Sequence, residues 1–271
     1  MKYSIITVNL NNANGLRDTV NSVIIQTCRD FEFIIIDGGS TDDSKSIIEQ
    51  NSSHIDYWVS EHDQGIFNAM NKGIRASKGD YLIFMNSGDC FYNEHVLEDS
   101  QKYLGADFVI GEIKRKDTLE TMNYELSDIT MMTFYTGAIP HQATFHNRKL
   151  FLDKLYDENL KISSDWKLFF EEIVLRNASY TLMPVVVSVF ETSGISNTNS
   201  DLAAKERMQI ISENLPYRII KDYERYKDKE CEMLELIPQF KYTRTINRII
   251  TGFTKAILSL SKTKIVKLLS K

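Results

Sequence analysis

Residues 31–44 read FEFIIIDGGSTDDS. Aromatic and β-branched residues, which fit a pleated and buried surface, run to Asp37 and stop there on two glycines. The next residues suit a helix start, with Ser40 or Thr41 as the cap and Asp42 and Asp43 in the first turn, where carboxylates favour the positive end of the helix dipole. Strand, tight turn and helix are thus written into fourteen consecutive residues. The same grammar recurs on both sides. Strands are predicted at 3–9 (YSIITVN), 31–37, 55–60 (IDYWVS) and 80–86 (DYLIFMN). Helices are predicted at 14–27, with Leu16, Val20, Val23 and Ile24 on one face, at 42–50 and at 65–76. Repeated strand–helix–strand units require right-handed parallel crossovers and a sheet covered on both faces, so the fold class is α/β.

Beyond residue 105 the pattern becomes mixed. A strand at 107–113 is followed by a hairpin arm near 119–125, a helix near 127–135 and a strand at 141–146. A helix at 164–176 precedes the apolar strand YTLMPVVVSVF, and a polar helical stretch covers 200–230.

The whole chain of 271 residues is 42% hydrophobic and 25% charged, ordinary values for a globular protein. Cys28, Cys90 and Cys231 are odd in number and far apart, which predicts a reducing compartment and neither a disulfide framework nor a zinc site. No basic leader precedes the first strand and no run of about 18 apolar residues occurs, so a cytoplasmic protein is expected. The net charge is −5, and eight Lys or Arg with no acid occupy 241–271, which leaves −13 on the first 240 residues. That acidic body argues against nucleic acid as a partner.

In an open parallel sheet, ligands bind outside the carboxyl ends of the strands. Asp37, Asp63 and Asp89 all fall at that edge. Each by itself reads as a turn former or helix cap. Together they repel unless cations or hydroxyl donors offset them, which a hydroxyl-rich, metal-carrying ligand would do. Gly38 and Gly39 serve a turn and would also let a flat ligand approach the backbone. Neither G-x-x-x-x-G-K-[ST] nor G-x-G-x-x-G after the first strand is present, which disfavours P-loop hydrolases and nicotinamide dehydrogenases.

The segments SIITVNLNN, FIIIDGGSTDDS and DQGIFNAMNKGIRASKGDYLIFMNSGD, in this order and spacing, resemble the nucleotide-sugar-binding half of the family 2 glycosyltransferases. Weaker likeness continues through IPHQATFHNRKLF, ISSDWKLFFE and FETSGIS. The resemblance implies the GT-A fold, a Rossmann-like, mostly parallel sheet with helices on both faces, a mixed acceptor-side half and C-terminal helices. It divides the chain into a donor-binding half at 1–105, an acceptor-side half at 106–200 and a helical extension at 201–271. The implied reaction is transfer of a sugar, with inversion, from a nucleoside-diphosphate sugar, UDP-linked, to a hydroxyl of a saccharide or lipid-linked saccharide in cell-surface polysaccharide or glycolipid synthesis.

By the same resemblance Thr7, Val8, Asn9, Asp37, Gly38 and Asp63 contact the nucleoside, with Asn71 and Lys72 on the following helix. Asn86, Ser87 and Gly88 line the donor, and Asp89 aligns with the last acid of a metal-binding D-x-D-like motif, implying Mg²⁺ or Mn²⁺. The earlier acid of that motif is missing here. A lone carboxylate suits an ion that takes its other oxygens from phosphates and water. Asp165 is the candidate general base, with a helix N-terminal carboxylate as the alternative. His141 and Gln142 are read as contacts to phosphates or acceptor, or His141 as a structural hydrogen-bonder. Trp166 either stacks on a sugar or fills the core. Glu191 is placed near the mouth of the site.

Apolar residues at 246, 249, 250, 253, 257 and 260 recur at helical spacing among the cations of 241–271. Such a helix can lie on an anionic membrane, at the inner face, or pack on the acidic body. Two other functions share these features: a nucleotide-sugar-binding or membrane scaffold without turnover, and a sugar-phosphate nucleotidyltransferase, for which NLNNANGLRD is a poor Gly-rich basic loop.

Overall fold

The computed structural model describes residues 1–118, 120–122, 128–190 and 199–226. Met1–Asn214 form one compact unit. A second unit comprises Leu215–Lys271, of which a helix over 217–226 is described.

Strands β1 (Tyr3–Asn9), β2 (Phe31–Asp37), β3 (Tyr57–Ser60) and β4 (Tyr81–Phe84) pair in parallel in the order β3-β2-β1-β4. The connecting helices are α1 (Ala13–Ile24), α2 (Ser44–Gln50) and α3 (Ile66–Ala76). Side chains alternate across the strands, so each strand feeds two cores. Tyr3, Ile5, Phe33 and Ile35 pack with Leu16, Val20 and Val23 of α1 and Ile47 and Ile48 of α2. Ile6, Val8, Ile34 and Ile36 pack with Phe67, Met70 and Ile74 of α3 on the other side. Burial on both faces is why these strands read as continuous apolar runs. With β2 on one side of β1 and β4 on the other, strand order reverses at β1, which opens a crevice between the carboxyl ends of β1 and β4.

The mixed half extends the same sheet. It comprises β5 (Cys90–Phe91), α4 (Val96–Ser100), β6 (Phe108–Arg115), β7 (Thr121–Met122), α5 (Met131–Thr136), β8 (Thr144–Asn147), α6 (Ser164–Phe169), β9 (Tyr180–Phe190) and α7 (Ser200–Asn214). The full order is β3-β2-β1-β4-β8-β6-β9-β5, with β7 beside β6. β8 is antiparallel to both β4 and β6, whereas β9 is parallel to β6.

Several boundaries differ from the sequence reading. Neither Ser40 nor Thr41 caps α2, because the Ser40 hydroxyl and amide donate to Asp37 and the Thr41 amide donates to Asn11 Oδ1. The helix starts at Ser44, whose amide donates to Asp42 Oδ1 at 3.0 Å. The predicted strand at 141–146 begins only at Thr144, after a 3₁₀ turn at His141–Ala143. The predicted helix at 164–176 is α6 followed by a π-helical turn over Phe170–Leu175. Polar helix 200–230 is broken after Asn214, just before Pro216, whose ring cannot continue a helix. Of the predicted arm at 119–125, residues 121–122 pair with β6, and most of the remainder lies outside the described residues.

His146 of β8 is fully buried and surrounded by the rings of Phe84, Phe108, Phe151 and Phe169 at 5.2–5.9 Å between centroids. Burial, reinforced by the charge of His141, pushes its pKa down to about 3. The ring is neutral in the fold and charges on unfolding below its free pKa of about 6.5, so stability falls as pH drops through that window. His146→Phe keeps the ring contacts and removes the titration. Urea unfolding compared at about pH 7 and about pH 4.5 is expected to show the variant losing less stability, by on the order of 2–3 kcal/mol. Equal losses in both proteins would refute the assignment.

Candidate active site

The parallel register places Asn9 beside Asp37 and Asp37 beside Ser60, at the carboxyl ends of three adjacent strands. The Asp37 carboxylate is fully buried and accepts from Asn9 Nδ2 (2.7 Å), Ser40 Oγ (2.5 Å), Ser40 N (3.0 Å) and Ser60 Oγ (2.6 Å). Burial opposes its ionisation, yet the donors from Ser40, Ser60 and Asn9 outweigh it and hold the carboxyl below the usual range. Asp37 thus organises the 38–40 turn. Thr7 is likewise buried, and its hydroxyl donates to the Met85 carbonyl at 2.7 Å, tying β1 to the chain that leaves β4. Val8 is buried in the α3-side core.

That chain, 85–89, continues along β1 through Met85 N to Ile6 O and Ser87 N to Val8 O. It then turns, with Gly88 at φ +106°, a backbone conformation that disfavours any side chain, and the Asp89 amide donating to Asn86 O at 2.9 Å. Thr19 of α1 holds the turn from beneath. Its hydroxyl accepts from Gly88 N (3.0 Å) and lies 2.7 Å from Asp89 O and 3.3 Å from Asn86 O. Asn12, which caps α1 through Gly15 N, also donates to Ser87 O at 2.9 Å. Asp89 itself is 6% exposed.

Asp63 lies beside Gly38, where an added Cβ would come within 3.1 Å of Asp63 Oδ2. Lys72 of α3 reaches Asp63 Oδ1 and Glu61 Oε1, each at 2.6 Å. Burial works against the charge of Lys72, but the two carboxylates more than offset it and raise its pKa. Asn71, on the same helix, braces α3 against the 156–158 segment. It is 1% exposed, and its amide is used by Tyr156 N, Tyr156 O and Glu158 Oε1 at 2.7–3.0 Å.

The antiparallel register of β4 and β8 pairs Leu82 with His146, so the residues before β8 run beside those after β4. His141 therefore meets the turn, with Nε2 3.3 Å from Asn86 Nδ2. On its other side, Nδ1 lies 2.9 Å from Asp165 Oδ2. Asp165 sits in the first turn of α6, and its Oδ1 accepts from Trp166 N at 2.8 Å. Burial resists charge on both groups. The hydrogen bond and mutual attraction nevertheless prevail, raising His141 with help from Asp89 and lowering Asp165 with help from Arg207. With a neutral ring, Nδ1–H donates to Asp165 and Nε2 accepts from the Asn86 amide. A proton on Nε2 would face the Asn86 NH₂ donor, and the amide would have to turn over to offer Oδ1, a buried acceptor without a hydrogen-bond partner.

Trp166 takes the core alternative: 2% exposed, it stacks on Phe170, meets Phe134 edge-on and donates through Nε1 to Gly137 O, leaving no face for a sugar. Gln142 is half-buried beside His141. Glu191 lies outside the described residues.

Residues 4–170 match the family described as Glycosyl transferase family 2. The chain belongs to that family. An uncharacterized glycosyltransferase of Mycobacterium tuberculosis is 33% identical over 207 residues, 72% of this chain and 76% of its relative. A PGL/p-HBAD biosynthesis glycosyltransferase of Mycobacterium bovis is 29% identical over 233 residues, 80% of this chain and 88% of the relative. Among solved structures, Staphylococcus aureus TarS, residues 1–349 with UDP-GlcNAc, has a TM-score of 0.61 at 18% identity, covering 70% of this chain and 58% of that one. The Pyrobaculum calidifontis mannosyltransferase PcManGT, with GDP-Man and Mn²⁺, has a TM-score of 0.57 at 16% identity, covering 69% and 56%. The fold is GT-A, and the protein is a glycosyltransferase.

Among the transferase's described residues, no group of three or more His, Cys, Asp or Glu side chains could hold a metal. A metal ion here would rest on Asp89 as its protein carboxylate. Such a donor set suits Mg²⁺ or Mn²⁺, hard ions that keep waters and take phosphate oxygens, and does not suit zinc.

Sequence reasoning missed Thr19, Asn12, Ser40 and Ser60. They are ordinary polar residues in their own segments, and each has a partner 23–75 residues away. Only the proximity of Ser40 to Asp37 was a local signal. Thr19→Val keeps the shape and removes every bond of the hydroxyl, leaving the Gly88 amide unpaired. Urea unfolding of the transferase is expected to register a loss of about 1–3 kcal/mol. Unchanged stability would mean that the turn does not depend on Thr19.

Proposed function

We propose that the transferase is an inverting enzyme that moves a sugar from a UDP-linked donor to a hydroxyl of a saccharide or lipid-linked saccharide, in the synthesis of a cell-surface polysaccharide or glycolipid. The observation that carries the reading is the meeting of the His141–Asp165 pair with the 86–89 turn at the point where strand order reverses. In this reading residues 1–105 bind the donor and 106–200 receive the acceptor. Asn9, Gly38, Asp63 and Lys72 form the nucleoside end, shaped by Thr7, Val8 and Asp37. Asn86, Ser87 and Gly88 border the diphosphate. The UDP choice leans on the similar fold of TarS, solved with UDP-GlcNAc.

Asp89 would hold Mg²⁺ or Mn²⁺. When bound, such an ion supplies Lewis acidity that offsets charge on the departing diphosphate. The chain's own part is proton removal. Asp165 is ionised at neutral pH because His141 stabilises its carboxylate. As the acceptor oxygen bonds to the anomeric carbon, the bond from that carbon to the diphosphate oxygen breaks with its electron pair, and the hydroxyl proton passes to Asp165. A single displacement of this kind inverts the carbon.

Release of UDP from UDP-GlcNAc in the presence of Mn²⁺, alongside a panel of other nucleotide sugars, tests the reading. Asp165→Asn is expected to lower turnover by on the order of 10²–10⁴ while UDP binding persists. His141→Asn removes the main partner that holds the Asp165 carboxyl low and leaves only Trp166 N and Arg207 against burial, so turnover is lost at a higher pH on acidification. Full activity of Asp165→Asn would end the assignment. Donor binding without any release would favour the scaffold function instead.

No helix among the described residues is long and apolar enough to cross a membrane. Peripheral contact with the inner, cytoplasmic face rests on 241–271, which lies outside the described residues and is supported by its eight cations and absence of acids. Sedimentation with phosphatidylserine vesicles is expected to carry the full chain down and to fail after deletion of 241–271. Unchanged partitioning would remove the membrane from the proposal.

A further inference from the structure

Helix α6 presents Asp165 from its first turn, so the position of that carboxylate depends on how the helix start is held. The amides at a helix N-terminus have no partners within the helix and need outside acceptors. The Ser163 side chain, at the N-cap, makes no capping bond. For the N-cap amide of Ser163, and for the two amides just before it, the acceptor comes from α7. Glu206, 7% exposed, takes Lys161 N on Oε1 at 2.7 Å and both Ile162 N (3.1 Å) and Ser163 N (2.9 Å) on Oε2. Three consecutive amides thus converge on one carboxylate from a segment more than forty residues away.

We propose that Glu206 is a positioning residue for Asp165, holding the start of α6 so that the Asp165 carboxylate meets both His141 and the acceptor hydroxyl. The inference rests on the reading of Asp165 as the base. Charge-assisted bonds to amides are short and strong, and a carboxylate at the positive end of a helix is favoured there. Neighbouring contacts act in the same direction. The guanidinium of Arg207 lies 5.7 Å from the Trp166 ring, next to Asp165, and Ser163 Oγ lies 3.4 Å from Ala203 O. Asp165 Oδ1 is itself tied to Trp166 N, so a shift of the first turn moves the carboxylate with it. A displacement of about 1 Å at a reacting group can cost on the order of 10²-fold in rate.

Glu206→Gln keeps the shape but replaces one accepting oxygen with an NH₂ that opposes an amide. The probe is UDP-GlcNAc with Mn²⁺, read as UDP release, with UDP affinity and the thermal midpoint measured on every variant. Glu206→Gln is expected to lower kcat on the order of tenfold or more, with KM for the donor and UDP affinity within about twofold of the parent. In an Asp165→Asn background the same change is expected to have no further effect. A loss carried in KM, or the same loss in both backgrounds, overturns the inference while leaving Asp165 as the base. Wild-type turnover by Asp165→Asn alone instead overturns the base reading. Glu206→Asp, which keeps the charge but shortens the reach, is the second variant, and it is expected to show the same kcat loss at unchanged KM if the Gln variant fails to fold.

Discussion

The antiparallel pairing of β8 with β4 is the constraint on which the site depends. Tyr81 opposes Asn147 and Leu82 opposes His146, and following β4 toward its carboxyl end means following β8 back toward residue 141. The pairing joins the parallel half to the mixed half, and it brings His141 to Asn86. It also separates the fates of two histidines five residues apart. His146 enters a cage of phenylalanine rings and stays neutral, whereas His141 stands beyond the strand start against Asp165 and is raised. A slip of one residue would exchange the faces of every side chain on β8.

The carboxylates around the crevice are offset individually and by different means. Asp37 is surrounded by hydroxyl, amide and backbone donors, Asp63 by an ammonium from α3, and Asp165 by an imidazole. Three acids at one edge therefore need no external ligand at Asp37 and Asp63, whose compensation is built into the protein. At Asp89 the backbone is held firmly at both its amide and its carbonyl. Rigid presentation of this kind keeps a site ready without reorganisation.

A second set of links crosses between the halves. Asn68 and Asn71 share one face of α3 and both donate to Glu158, and Asn71 also grips both backbone groups of Tyr156. The 156–158 segment leads to α6, where Ser164 Oγ accepts from Asp157 N at 2.6 Å. The helix carrying Asp165 is thus held from the parallel half through α3 and from the other side through Glu206 of α7.

What was legible in the sequence was whatever is decided over short distances. β1 and β2 match their predicted limits to the residue, and α3 within one, because periodicity and glycine turns act locally. The α/β class and the edge bearing Asp37, Asp63 and Asp89 follow from the same signals, and the family from the order of those segments. The α2 start differs because the Ser40 and Thr41 hydroxyls are taken up by Asp37 and Asn11 and do not accept from the helix amides. Nothing in its own helix marks the 156–158 segment as the partner of Asn71. Only the tertiary structure decided that Thr19 holds the Gly88 turn, that His141 joins Asn86 to Asp165, and that Glu206 gathers the amides before α6. Each of these pairs residues 24–69 positions apart, and such partners meet only after strand register and helix packing have set their distance.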